Sequence, residues 1–128
     1  MGSPVVHFEI IGTDAPGLRQ YYTELFDWQF DVGGPVAPEV SEAGNYGFVN
    51  PLGSDEGQTI PGGVGGGTGF AHHIVFYVGV PNVEAALRRA ESLGGTRVMG
   101  PSRAPERDLV VAHFTDPEGN LIGLAGPA

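Results

Sequence analysis

The sequence predicts an α+β fold in which two βαβββ modules pair into one curved mixed sheet, with both helices on the convex face and a cup on the other. Three observations carry this. His7 falls on His73 and Phe48 on Phe114 at the same offset of 66 residues, so the chain is a doubled unit. Each half holds one apolar stripe of helical period. Each half also ends a strand in the same turn, Asn50-Pro51-Leu52-Gly53 and Asp116-Pro117-Glu118-Gly119, with proline set for the second turn position and glycine for the last. Neither half can cover its own sheet, which is why the two are expected side by side in a single domain, 1–128.

The elements follow in order. Val6 to Ile11 and His72 to Tyr77 are rich in β-branched and aromatic residues and read as the first strand of each module. Helix 1 is expected over Ala15–Phe26 with Asp14 at its N-cap, and helix 2 over Asn82–Leu93, stopped by Gly94-Gly95. Their stripes pair, after a one-residue gap, as Leu18/Val83, Tyr21/Ala86, Tyr22/Leu87, Leu25/Ala90 and Trp28/Leu93. Further strands are expected near Gln29–Val32, Tyr46–Asn50 and Thr59–Val64 in the first module, and near Thr96–Met99, Leu109–Thr115 and Leu121–Ala125 in the second. The modules span about 1–61 and 70–128. Six glycines crowd between positions 62 and 69 and read as the linker that joins them.

Composition narrows the function. With 41% hydrophobic residues, a chain of 128 can bury one core. Six basic against fifteen acidic residues give a net charge of −9, which repels phosphate backbones and anionic lipid, so no nucleic-acid partner is expected. Cysteine is absent, and all six basic residues are arginines, which removes thiol nucleophiles, Cys-ligated zinc, Schiff-base lysines and the P-loop lysine. The uncharged stretch from Gly57 to Val83 carries eight glycines and two prolines, so no membrane span is expected there. No signal-peptide pattern opens the sequence, and a cytoplasmic location is the default expectation.

Strand periodicity places candidate site residues. His7 and Glu9 are two apart and share a face, and the repeat brings His73 to the same face. Two imidazoles and a carboxylate suit Zn, Fe, Ni or Mn with open coordination positions; the alternative, favoured because two ligand positions are empty, is a hydrogen-bonded His–Glu pair lining a polar cavity with no metal. Glu9 is the candidate general base, with His73 as a second proton carrier. Tyr77, four residues after His73, shares its face as a hydrogen-bond donor or a packed aromatic. Arg103 and Arg107 lie in a loop beside the cup opening, where they bind an anionic substrate or pair with Glu106 and Asp108. His72 points to the helix-covered face, and His113 is left without a face because Leu109 to Ala112 does not alternate.

Paired βαβββ modules, the first-strand His7, the helix end Tyr21-Tyr22-Thr23-Glu24-Leu25-Phe26-Asp27-Trp28, the Gly94-Gly95 stop and the closing Asp116 to Leu124 run resemble the vicinal oxygen chelate superfamily. Glyoxalase I, bleomycin-resistance proteins, fosfomycin-resistance enzymes and extradiol dioxygenases belong to it. The resemblance implies a divalent metal held by one ligand from the first and one from the last strand of each module, with His7 and His73 at the two first-strand positions. The sequence departs from that pattern at the other two: Gly123 stands where a glutamate is expected, and Gln58 to Gly63 offers no ligand. A Gly-Leu ending is similar to a glyoxalase-like branch. The expectation is thus a small-molecule enzyme with lyase or isomerase chemistry on a compact oxygen-rich substrate, using at most a weakly bound Zn, Ni, Co, Mn or Fe at His7, His73 and Glu9. The alternative is a non-catalytic binding protein of the bleomycin-resistance kind. A homodimer is expected in either case.

Overall fold

The computed structural model describes residues 2–52 and 59–128. Among them the chain runs β1 (Val5–Gly12), α1 (Ala15–Phe26), β2 (Asp31–Val32), β3 (Gly47–Val49), β4 (Gly62–Gly66), β5 (His73–Gly79), α2 (Val83–Ser92), β6 (Thr96–Arg103), β7 (Val110–Thr115) and β8 (Leu121–Gly126). The eight strands form one sheet in the order β2-β3-β4-β1-β5-β8-β7-β6. That order is a mirror about its centre. The first and last strands of each module pair in parallel, β1 with β4 and β5 with β8, and the modules join through the antiparallel β1–β5 ladder.

Both helices start on the side-chain caps that their sequences offer. Asp14 accepts from the Gly17 amide at 3.2 Å and Asn82 from the Ala85 amide at 2.9 Å. Gly94, at φ +101°, ends α2. The closing turn of module two also forms as expected, with the Gly119 amide donating to the Asp116 carbonyl at 2.9 Å. Its first-module counterpart runs into Gly53, which lies outside the described residues, as do the residues up to Gln58.

Two expectations are corrected. The glycine run is not a linker from position 62: Gly62 to Gly66 is β4, buried between β3 and β1. Its glycines are there because aromatic rings lie flat against the strand. A Cβ at Gly62 would collide with the Phe8 ring on one face, and one at Gly63 with the Tyr46 ring on the other. Composition alone does not separate a strand stripped for packing from a flexible join.

The second correction concerns α1. Its expected stripe is met only in part: Leu18, Tyr22 and Trp28 are half-buried, whereas Tyr21 is 58% and Leu25 55% exposed. Ala15 is the one fully buried residue of this helix, and beside it lies the half-buried Arg19, whose guanidinium donates to the Asn45 carbonyl at 2.7 Å and the Val64 carbonyl at 3.2 Å. An arginine that ties helix to sheet through backbone acceptors reads as a solvent residue in a periodicity analysis. Trp28 is half-buried among Phe8, Tyr22, Phe26 and Phe30 at the end of the same helix. In α2 the stripe holds, with Val83 and Leu87 buried against Ala112 and Leu124, although Leu93 is exposed.

The cup is closed by one loop from each module. Residues 33–46 are pinned to β4 where the Gly66 amide donates to Ser41 Oγ at 2.9 Å and the Glu42 amide to the Gly66 carbonyl at 3.0 Å. They reach across to module two through Ser102 Oγ, which donates to Glu39 at 2.6 Å. Because Leu87 is fully buried and Leu25 is not, Leu87→Ala should lower the unfolding free energy by about 2–5 kcal/mol and Leu25→Ala by no more than about 0.5 kcal/mol. Urea denaturation of the two variants checks this assignment of faces.

Candidate functional site

The β1–β5 register sets His7 opposite Tyr77, Glu9 opposite Val75 and Ile11 opposite His73. Directly paired residues share a face, so His7, Glu9, His73 and Tyr77 all belong to the cup, as the sequence predicted. The cup encloses a cavity of about 220 Å³. Its walls are apolar, from Val36, Ala37 and Val40 on one loop, Ala104 and Leu109 on the other, and Phe48, Val111 and Ala125 from the sheet. His7, Glu9, Tyr46 and Tyr77 form its polar floor.

Glu9 is the centre of that floor and is only 2% exposed. Tyr46 donates its hydroxyl to Glu9 Oε1 at 3.0 Å, and Tyr77 donates to Oε2 at 2.9 Å. A hydroxyl has one proton. Each tyrosine oxygen, having given its proton to Glu9, accepts from the histidine behind it: His7 Nε2 lies 2.8 Å from Tyr46, and His113 Nε2 lies 2.8 Å from Tyr77. The proton count thus fixes both histidines with hydrogen on Nε2. Burial lowers the pKa of His7 and of His113, and keeps both neutral although Glu9 pulls the other way. Burial, reinforced by Glu9, raises both tyrosines far above the ordinary phenol range, so they remain donors.

His73 is different. Its Nδ1 faces the Ala71 carbonyl at 3.2 Å, an acceptor, so Nδ1 carries the hydrogen. Its buried Nε2 lies 3.9 Å from Glu9 Oε2, beyond direct hydrogen bonding, and has no other polar partner among the described residues. The nearby carboxylate of Glu9 raises its pKa, against the opposing effect of partial burial. His73 also borders a second hollow at the end of the β1–β5 ladder, together with Asp14, Leu18, Tyr21, His72 and Ile74.

The remaining expected residues separate. Arg107 lines the cavity mouth with its guanidinium carbon 5.3 Å from the centre of the Phe48 ring. Arg103 does not line it; it is exposed, and its Nε donates to the Arg107 carbonyl at 3.2 Å, which braces the loop. His72 is exposed on the outer face. Two residues of the Glu9 network were missed: Tyr46, just before β3, and His113, 6% exposed on β7. The signal for Tyr46 was present in the alternating Gly63 and Gly65, which a ring from a neighbouring strand must fill. The three residues expected as metal ligands share a face without converging, because His7 Nε2 and both Glu9 oxygens are engaged by tyrosines. Among the described residues no group of three or more His, Asp or Glu side chains is arranged to hold a metal ion, and no helix is long and apolar enough to cross a membrane.

A doubled βαβββ sheet around a small apolar cup with a polar floor defines a small-molecule-binding scaffold, and comparison with known proteins gives the family. Residues 5–124 match the Glyoxalase/Bleomycin resistance protein/Dioxygenase superfamily, and the chain belongs to it. Search of the curated proteins gives no match. Among experimental structures, a hypothetical protein from Bacillus halodurans superposes with a TM-score of 0.64 at 14% identity, over 100% of this chain and 96% of that one. A point variant of the methylmalonyl-CoA epimerase of Streptomyces coelicolor, in complex with 2-nitronate-propionyl-CoA, gives 0.64 at 15% identity over 98% of both chains. That of Mycobacterium tuberculosis gives 0.61 at 17% identity, over 97% of this chain and 87% of that one. At such identities the likeness speaks for the fold.

The opposite shifts of the histidines have a measurable consequence. The fold refuses protons at His7 and His113 that the unfolded chain accepts, so their contribution is lost as pH falls below the ordinary imidazole value of 6.5. The contribution of His73 is complete below 6.5 and is lost as pH rises through its elevated folded value. Urea unfolding at about pH 7 and pH 5 should therefore show a smaller acid loss of stability in His113→Gln than in the parent, and a larger one in His73→Gln.

Proposed function

We propose that the protein is a small-molecule enzyme that moves a proton on a compact substrate in the cup, with Glu9 as the base. The observation that carries the reading is a buried carboxylate on the floor of an otherwise apolar cavity. Each Glu9 oxygen spends one acceptor position on a tyrosine and keeps another for an incoming proton. The size of about 220 Å³ limits the enclosed group to one smaller than a drug-sized ligand. An apolar body packs on Val36, Val40, Leu109 and Val111, and an anionic end or carbonyl oxygen meets Arg107 at the mouth.

The step is proton abstraction from a carbon next to a carbonyl. The C–H bond breaks, the proton passes to Glu9, and the electron pair moves onto the carbonyl oxygen. Delivery of a proton to the opposite face of the same carbon inverts it, return to a neighbouring atom isomerises the substrate, and loss of an adjacent leaving group completes an elimination. Epimerases among the structural neighbours share this fold. His73, with Nε2 toward Glu9 and its ring bordering the outer hollow, is suited to exchange that proton with solvent.

Sequestration without chemistry is the second reading, and a specific observation favours it: the walls are more apolar than an oxygen-rich substrate calls for. We also propose that the chain pairs with a second copy. Ile74 is 70% and Phe76 41% exposed on the outer face of β5, and Ile74 shares the outer hollow with Leu18 and Tyr21, an apolar surface of the kind a two-fold contact covers.

Proton NMR in D2O against a panel of small 2-substituted oxo acids separates enzyme from binder. The parent protein should wash out the C–H signal next to the carbonyl of at least one of them, and Glu9→Gln should slow that exchange by about 10²–10⁴-fold while still binding the same compound. Binding by the parent with no exchange in any member would favour sequestration.

A further inference from the structure

We infer that the cup is built as a metal-free site, in which the rings of Tyr46 and Tyr77 stand where ligands from the closing strands would project and their hydroxyls hold Glu9 in place of a cation. The inference gives Tyr46 and Tyr77 the role of positioning residues for Glu9 and, in that respect, rests on the proposed function. Its structural content stands on registers and distances alone.

The two closing strands are β4 and β8, each paired in parallel with the first strand of its module. Their registers set Ile11 beside Gly65 and Tyr77 beside Gly123. Ile11 and Tyr77 are equivalent under the 66-residue repeat, so Gly65 and Gly123 are equivalent positions of the two modules. Both lack a side chain, and for the same reason. A Cβ at Gly65 would lie 2.6 Å from Tyr46 Cδ2, and one at Gly123 would lie 2.5 Å from Tyr77 Cδ1, closer than carbon atoms approach. While the tyrosines stay, no carboxylate or imidazole can project into the cup from either position.

The rings end on the carboxylate of Glu9. The hydroxyl of Tyr46 comes from module one and that of Tyr77 is on module two, and each takes one oxygen of Glu9, at 3.0 and 2.9 Å. Tyr46 also consumes His7 Nε2 at 2.8 Å. Of the three residues that could hold a cation, His7 and Glu9 are therefore committed to neutral donors and acceptors supplied by the tyrosines. Two hydrogen bonds to a buried carboxylate perform the task that ligation performs elsewhere: they compensate its lost hydration and fix its orientation.

Cobalt is the probe, because its visible bands report the ligands around it. Metal-stripped parent protein with excess Co²⁺ should give no spectrum that depends on Glu9, so that parent and Glu9→Gln are indistinguishable. The double variant Tyr46→Phe/Tyr77→Phe keeps both rings, releases both Glu9 oxygens and His7 Nε2, and should acquire a Co²⁺ spectrum that the further change Glu9→Gln abolishes. Separately, Gly123→Ala should lower the melting temperature in the parent by several degrees and have little effect in a Tyr77→Ala background, with circular dichroism confirming that each variant is folded. A Co²⁺ spectrum in the parent that Glu9→Gln removes would overturn the inference. So would no spectrum in the double phenylalanine variant, or a Gly123→Ala loss that is equal in both backgrounds. None of these readouts needs a substrate, so failure of the proton-exchange experiment and failure of this inference are told apart.

Discussion

The interaction on which the cup depends is the carboxylate of Glu9 held between two tyrosine hydroxyls. Removing a carboxylate from water costs several kcal/mol or more unless its oxygens find donors (~2–7 kcal/mol even for a neutral polar group). At 2% exposure Glu9 has no recourse to solvent. The donors come from a loop end in module one and from β5 in module two, so satisfying one side chain ties the two halves together on the same face that their central ladder defines. The tyrosines in turn need room for their rings, and the closing strands provide it by being glycine at Gly63, Gly65 and Gly123. The histidines behind them need to be neutral donors, and burial makes them so. Composition, strand sequence and protonation in this region follow from one buried charge.

Much of the frame was legible because it rests on local and periodic signals. The offset of 66 residues, the caps Asp14 and Asn82 and the Gly94 stop are visible in the chain and reappear in the sheet order and helix ends. What misled was residue type read without its neighbours. Glycine in β4 reads as flexibility, yet there it makes space for Phe8 and Tyr46; arginine at position 19 reads as surface, yet it anchors α1 to backbone carbonyls of Asn45 and Val64. Both cases turn on contacts between residues far apart in the chain, which periodicity does not carry.

The site was half legible for the same reason. Alternation along β1 and β5 suffices to bring His7, Glu9, His73 and Tyr77 to one face. Tyr46 and His113 enter only through β3, β4 and β7, whose lateral order no local pattern reveals. Of the two arginines, Arg107 alone borders the cavity, because Arg103 is spent on bracing the loop that carries it.

Duplication gives this fold a symmetric scaffold, and the side chains break the symmetry at the floor of the cup. His7 and His73 occupy equivalent positions, but one faces a tyrosine and the other faces the carboxylate across a gap of 3.9 Å. Burial therefore drives the first toward neutrality while Glu9 draws the second toward the imidazolium. A residue equivalent by fold need not be equivalent by proton. If Glu9 takes a proton from a ligand, as proposed, the more basic and uncommitted His73 toward the outer hollow offers that proton an exchange route that the neutral, committed His7 does not. That polarity is set by what each imidazole touches, and a ligand set inferred from the repeat alone would have assigned both the same role.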